Sequence, residues 1–181
     1  MVYIMLAQGF EETEAVTPGD LLRRADIPTA YVGVTGAEVT GSHGMTLRAD
    51  LTLEQMDLTE LEMIVLPGGR RGVENLLDSG MTLDAVRFAY ENGKLVAAIC
   101  AAPSILAKLH ITDGRRATCY PEPQWTEQMT AATLLEAPVV RDGQVITGAS
   151  AGCAVPFGLA LVEALRGTQT AEAVARGIVI R

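Results

Sequence analysis

Lys94-Leu95-Val96-Ala97-Ala98-Ile99-Cys100-Ala101-Ala102-Pro103 reads as a buried strand that turns sharply into a helix, with a cysteine on the turn. Leu95 to Ile99 is a short continuous apolar run, which fits a central parallel strand covered on both faces. Ala101 to Leu109 reads as the helix, with Pro103 early enough for its missing N–H to be tolerated. A side chain on such a turn points into the crevice beyond the strand. The helix start presents unpaired N–H groups and the positive end of its dipole, which lowers a thiol pKa and favours thiolate. Ala101 and Ala102 leave room for a reacting group. The competing reading of Cys100 is structural, since free cysteine often serves as a small core residue.

Working outward, Met63-Ile64-Val65-Leu66 is a second continuous apolar run, and it ends in Pro67-Gly68-Gly69. Val2 to Ala7 is a first strand, followed by the turn Gln8-Gly9-Phe10 and a helix running towards Arg23-Arg24. Pro18 falls inside that helix and predicts a late start or a kink. Thr29 to Val34 reads as a strand, and short β pieces punctuated by Gly36, Gly41 and Gly44 extend to Leu47. A helix is expected from about Leu83 to Tyr90, closed by Asn92-Gly93. Arg141-Asp142-Gly143-Gln144 between two apolar triplets signals a hairpin. Helices follow over about Cys153 to Leu165 and Thr170 to Arg176. Strands alternating with helices predict an α/β fold: one domain over residues 1–181, with a doubly wound, mostly parallel sheet and helices on both faces. Ligands in such sheets bind beyond the carboxyl ends of the strands, where Gly68-Gly69 and Cys100 both fall.

The composition, 49% hydrophobic and 20% charged, suits a folded core. A net charge of −8 with no basic run argues against nucleic acid as a partner. No apolar stretch is long enough to span a bilayer, so no membrane association is expected. The N-terminal segment lacks the layout of a signal peptide. Together with three widely spaced cysteines, Cys100, Cys119 and Cys153, this predicts free thiols in a reducing cytoplasm. That spacing, with only His43 and His110 as histidines, gives no metal site. Cys119 and Cys153 lack the placement of Cys100 and read as structural.

Glu11, Glu12 and Glu14 cluster where the first helix begins. For Glu11 and Glu12 the expected role is complementarity to the helix dipole. Glu14 lies closer to the crevice. If desolvated there, it would keep its proton and donate to a thiolate. Gly68 and Gly69 offer backbone N–H donors for an oxyanion. They lack the Gly-Lys-Ser/Thr sequel of a phosphate loop, and no dinucleotide fingerprint follows the first strand, so no cofactor is expected.

These residues together resemble the ThiJ/PfpI superfamily, in the subfamily of the Parkinson-disease-associated protein deglycase and its bacterial relatives. The resemblance covers nearly the whole chain. It rests on Leu6-Ala7-Gln8-Gly9-Phe10-Glu11-Glu12-Thr13-Glu14, Ile64-Val65-Leu66-Pro67-Gly68-Gly69, Ala98-Ile99-Cys100-Ala101-Ala102-Pro103 and Phe157 to Leu165. It implies a flavodoxin-like sandwich and a homodimer, whose subunit contact lies near Val39 to Leu47. In such a dimer His43 would face the partner's site or solvent. Cys100 corresponds to the reactive cysteine, Glu14 to its carboxylic partner, and Gly69 and Ala101 to backbone N–H donors around the sulfur. Gly68 and Tyr120 would line the site.

The activities implied are glyoxalase chemistry without glutathione (a glyoxalase III-like lyase) and hydrolytic deglycation of early carbonyl adducts. The partner would be a small carbonyl substrate or glycated adduct. A redox-responsive stress protein or chaperone, with Cys100 oxidised to sulfinate, is the alternative. A thiamine-pathway label is also attached to such proteins, but no phosphate or thiazole pocket is evident to support it. Tyr120 stands where many members carry a histidine, so a Cys-His-acid peptidase triad is not supported. Ala149 stands where the related deglycase has arginine.

Overall fold

The structure is a computed structural model that describes residues 1–180. In chain order the strands and helices are β1 (Val2–Leu6), α1 (Glu12–Arg24), β2 (Thr29–Gly33), β3 (Glu38–Thr40), β4 (Thr46–Arg48), β5 (Leu51–Thr52), β6 (Met63–Leu66), α2 (Arg70–Asp78) and α3 (Gly80–Glu91). They continue as β7 (Leu95–Ile99), α4 (Pro103–Lys108), β8 (Arg116–Ala117), α5 (Pro123–Thr126), β9 (Thr133–Leu134), β10 (Val139–Asp142), β11 (Val145–Gly148), α6 (Ala154–Arg166) and α7 (Thr168–Gly177).

A seven-stranded sheet runs in the order β10-β11-β7-β6-β1-β2-β5. All its pairings are parallel except the β10–β11 hairpin. The continuous apolar runs follow from having helices on both faces. In β1, Tyr3 and Met5 face one core layer, and Val2, Ile4 and Leu6 face the other. In β7, Val96 and Ala98 face the first layer, and Ala97 and Ile99 the second. The first layer is completed by Leu76, Val86 and Ile105, and the second by Leu21, Phe157 and Leu161. Each fully buried Leu, Ile or Phe contributes roughly 1.5–3 kcal/mol, so the paired layers anchor the sheet centre.

Helix α1 begins at Glu12 and continues through Pro18, so the late start is not observed. Pro18 and Leu21 pack against α6 at Gly158, where a Cβ would lie 3.1 Å from Pro18 Cα and 2.7 Å from Leu21 Cδ1. That close packing offsets the hydrogen bond that proline cannot make. Other departures are local. The helix expected over 83–90 is the longer α3, and α2 before it was not anticipated. The β pieces up to Leu47 form a separate two-stranded hairpin, β3–β4. Among the described residues, no helix is long and apolar enough to cross a membrane.

Candidate active site

The sheet reverses its direction of winding at β1, which pairs with β2 on one side and β6 on the other. Strand β6 in turn pairs with β7. The segments that follow three adjacent parallel strands therefore share one crevice: Glu14 after β1, Gly68-Gly69 after β6 and Cys100 after β7. This is the switch-point crevice where ligands of open α/β sheets bind.

Cys100 has a φ of 66°. A side chain is rarely tolerated in that left-handed region, and such strain is characteristic of residues held by their surroundings for a purpose. Backbone bonds hold it on both sides. Its N–H donates to Gly148 O at 2.9 Å, and its carbonyl accepts from Tyr120 N at 2.8 Å. Ala101 and Ala102 form a turn, and α4 starts at Pro103 rather than at Ala101.

Glu14 is fully buried in the first turn of α1. Its position is fixed from below by Glu11, whose Oε2 accepts the Glu14 N–H at 2.7 Å as the helix cap. Glu14 Oε2 accepts the Gly68 N–H at 2.9 Å, whereas Oε1 is buried with no hydrogen-bond partner among the described residues. Burial pushes the Glu14 carboxyl up to about 7, aided by the charge of Glu11 and opposed by contacts with Cys100 and the Gly68 N–H. The carboxyl and thiol perturb one another directly, although no aligned hydrogen bond joins them.

Gly68 makes this proximity feasible, because a Cβ there would lie 2.5 Å from Glu14 Oε2 and 2.7 Å from Cys100 Cβ. Gly69, at φ 85°, leads into α2 with its Cα packed on Gly9 and Phe10. The N–H groups of Gly69 and Ala101 both favour the thiolate of Cys100. They do not prevail. Burial first, and then the charge and hydrogen bonding of Glu14, push the Cys100 thiol up. The thiol depression expected from the helix start alone is therefore corrected. Thiolate at this site depends on Glu14 retaining its proton, because two buried negative charges in contact oppose each other.

Tyr120 is half-buried and packs against the core layer that contains Ile105. It joins the site through its backbone bond to Cys100. Cys119 is buried, which pushes its thiol up to about 11, and Cys153 is half-buried. His110 is exposed and pairs with Asp113 at 3.0 Å.

Sequence reasoning missed the part played by Glu12. It is buried, and its Oε1 accepts the N–H of His43 at 2.7 Å and of Met45 at 3.3 Å. Oε2 contacts Ser42 Oγ at 3.2 Å and His43 Nδ1 at 3.0 Å. Glu12 thus clamps the tip of the β3–β4 hairpin onto the turn that carries Glu14. Burial opposes its charge, but the bonds from His43 and Met45 outweigh that and hold the carboxyl below its ordinary value. Glu11, Glu12 and His43 place ligand-type atoms within 4.8 Å of one another, but the oxygens of Glu12 are already committed to the hairpin. The nearby Gly41 and Ser42 in the sequence were the available signal, since small and hydroxylated turn residues accommodate a buried carboxylate.

A strained cysteine on a strand-to-helix elbow, beside a buried carboxyl from the first turn of α1, defines a flavodoxin-like α/β protein of the cysteine-elbow class. Residues 1–164 match the model of the DJ-1/PfpI family, and the chain belongs to that family. It is 35% identical over 180 residues to "Protein dj-1beta" of Drosophila melanogaster, covering 98% of this chain and 95% of that protein. It is 33% identical over 183 residues to "Parkinson disease protein 7 homolog" of Danio rerio, covering 98% and 96%. The crystal structure of Drosophila DJ-1beta superposes with a TM-score of 0.93 at 33% identity, covering 99% of this chain and 97% of that one. A structure described as oxidized Toxoplasma gondii DJ-1 gives 0.92 at 30% identity, covering 98% and 97%.

Proposed function

We propose that the protein is a cysteine-dependent enzyme acting on reactive dicarbonyls or their early adducts, with Cys100 as nucleophile and Glu14 as proton shuttle. The observation that carries this reading is the buried Glu14 carboxyl, whose unpartnered Oε1 lies in the crevice with the Cys100 thiol. A protonated Glu14 can donate to the thiolate and later to the substrate.

In the first step the Cys100 sulfur adds to the aldehyde carbon of methylglyoxal. The C=O π pair moves to oxygen, which takes a proton from Glu14, giving a hemithioacetal. Glu14 carboxylate then removes the proton on that carbon, forming an enediol, and returns it to the adjacent carbon. The first carbon is oxidised and the second reduced, leaving a thioester of the hydroxy acid. Water cleaves the thioester, which releases lactate and regenerates the thiol. In this reading the Gly69 and Ala101 N–H groups, which favour the Cys100 thiolate, also stabilise charge developing on oxygen. Deglycation uses the same addition on an aldehyde-derived adduct of an amine or thiol.

Turnover of methylglyoxal by the purified protein and by Cys100→Ser tests this reading. Many equivalents consumed by the parent and none by the variant support it; no turnover by either sinks it.

A second reading draws on the same N–H groups and protonated carboxyl around the sulfur. Two equivalents of peroxide would convert Cys100 thiolate to sulfinate with release of two waters, giving a redox-responsive protein. Stoichiometric consumption of peroxide without dicarbonyl turnover distinguishes it. In either case the functional unit is proposed to be a cytoplasmic homodimer. Exposed Val16 on α1 and Met45 at the hairpin tip support the assembly. Light scattering at micromolar concentration tests it, and a stable monomer overturns it.

A further inference from the structure

A cleft of about 680 Å³ opens beside the elbow, lined by Cys119, Pro121, Leu134, Leu135, Ala149 and Cys153 among others. The size falls within the range of small-molecule sites, about 300–1,000 Å³. We propose that this cleft is a subsite for an apolar alkyl or aryl substituent of an α-oxo aldehyde whose carbonyl group lies at Cys100; the proposal rests on the dicarbonyl reading above.

Three observations carry it. The first is continuity with the nucleophile. Cys119 and Ala149, in the cleft wall, are the immediate chain neighbours of Tyr120 and Gly148, which bond the Cys100 carbonyl and N–H respectively. Consecutive Cα atoms are about 3.8 Å apart, so two residues of the cleft wall each lie one step along the chain from a group that holds the elbow, although Cys100 itself does not line the cleft. The Thr118 N–H bond to Thr147 Oγ1, at 2.9 Å, ties the two walls together.

The second observation is chemistry. Aliphatic, proline and thiol groups dominate the lining, no Lys or Arg lines the cleft among the described residues, and Glu136 supplies the charge. Among these residues a carboxylate or phosphate tail would meet no cation and one anion. A neutral apolar group would displace water from Leu134 and Leu135, which are otherwise left about a third exposed.

The third is the small side chain at position 149. A long cationic side chain there would begin at the cleft wall next to the elbow and extend into the space. Alanine leaves it open. Methylglyoxal carries only a methyl group and would leave most of this volume empty, whereas a phenyl or branched alkyl group fills more of it.

The test uses the half-buried Cys153 as a reporter, so that binding is read separately from turnover. In full-length Cys100→Ser protein, labelling of Cys153 by N-ethylmaleimide is followed by peptide mass mapping, with acetophenone or acetone present. Millimolar acetophenone is expected to slow the labelling by about threefold, as mass action gives for a ligand at about twice its Kd. Acetone is expected to leave it unchanged, and Ala149→Arg to abolish the slowing. Leu135→Trp fills the cleft from its exposed side and serves as the second variant. Undiminished labelling overturns the subsite, whether or not methylglyoxal is turned over. Shielding without methylglyoxal turnover supports the apolar subsite and sinks the catalytic reading instead. In active protein, phenylglyoxal should exceed methylglyoxal in kcat/KM by about tenfold or more, with Ala149→Arg bringing the ratio towards one. Equal values in the parent overturn the subsite.

Discussion

The Gly68 N–H donates to Glu14 Oε2 at 2.9 Å, which leaves Oε1 as the free oxygen of a carboxyl buried beside the Cys100 thiol. The carboxyl is raised from 4.5 to about 7. Across that window the folded chain retains a proton that the unfolded chain has released. Stability therefore falls as pH rises from 4.5 to about 7, and the loss is complete above the folded value. The size of this effect is about 3 kcal/mol. Urea midpoints measured across this range should decline for the parent and stay nearly flat for Glu14→Gln. Equal slopes in the two proteins would place the titrating group elsewhere.

Alkylation of Cys100 should follow the carboxyl–thiol pair as a unit. When the pair loses its first proton, near pH 7, the remaining proton is shared and part of the population carries thiolate. Iodoacetamide labelling of Cys100 should therefore rise in a step near that pH. Glu14→Gln removes the charge that pushes the thiol up. Its labelling should follow one simple thiol titration at lower pH than the parent's final step, while methylglyoxal turnover is lost. An unaltered labelling profile would sever the proposed coupling.

Gly68→Ala should damage stability and site together. Its Cβ would overlap Glu14 Oε2 and Cys100 Cβ, and both neighbours are buried or held by backbone bonds. Overpacking of this kind costs about 1–3 kcal/mol. Thermal denaturation should show a lowered Tm, and turnover should fall even at temperatures where the variant is folded. A variant with parental activity would mean that the crevice yields more than its packing indicates.

The placement of Cys100, Gly68-Gly69 and Glu14 was legible because each lies just beyond a short apolar run, Leu95–Ile99, Met63–Leu66 and Val2–Leu6 respectively. Those are local signals, and parallel pairing of β1, β6 and β7 converts them into one crevice. Helix α2 was not legible, since Gly69 before it offers no side-chain cap and it opens on Arg70-Arg71-Gly72. Glu12 looked like helix-end charge because its partner His43 lies 31 positions along the chain. The thiol's direction of shift was misread for a related reason. The helix start is visible in sequence, but the burial of Cys100 and its contact with Glu14 are tertiary.

The Glu12 clamp makes its own prediction. His43 is raised above 6.5, by its hydrogen bond to Glu12 and then by the charge of Glu12, so its contribution is full below 6.5 and is lost as pH rises through the folded value. Glu12 is lowered below 4.5, so its contribution is full above 4.5 and is lost as pH falls through its own folded value. Protection of the His43 and Met45 amides from hydrogen exchange, corrected for intrinsic rates, should be greatest between those limits. Glu12→Ala leaves these donors without their acceptor and should cost about 1–3 kcal/mol, with exchange accelerated first in the hairpin tip. Uniform acceleration across the sheet would show that the clamp is not local.

Strand β6 lies between β1 and β7, and the Glu14–Gly68 bond spans 54 positions of the chain. No early hairpin or single βα unit can therefore assemble the crevice. Long-range parallel pairing is slow to form, because loop-closure entropy is lost before the contacts stabilise the chain. On a ribosome the carboxyl and the glycine pair emerge well before the cysteine, and the cysteine cannot take its left-handed turn until Gly148 and Tyr120 have docked around it. A nascent or partly unfolded chain would then hold Cys100 as an ordinary thiol. The carboxyl-coupled labelling step becomes a covalent stopwatch for completion of folding, readable by pulse alkylation during refolding.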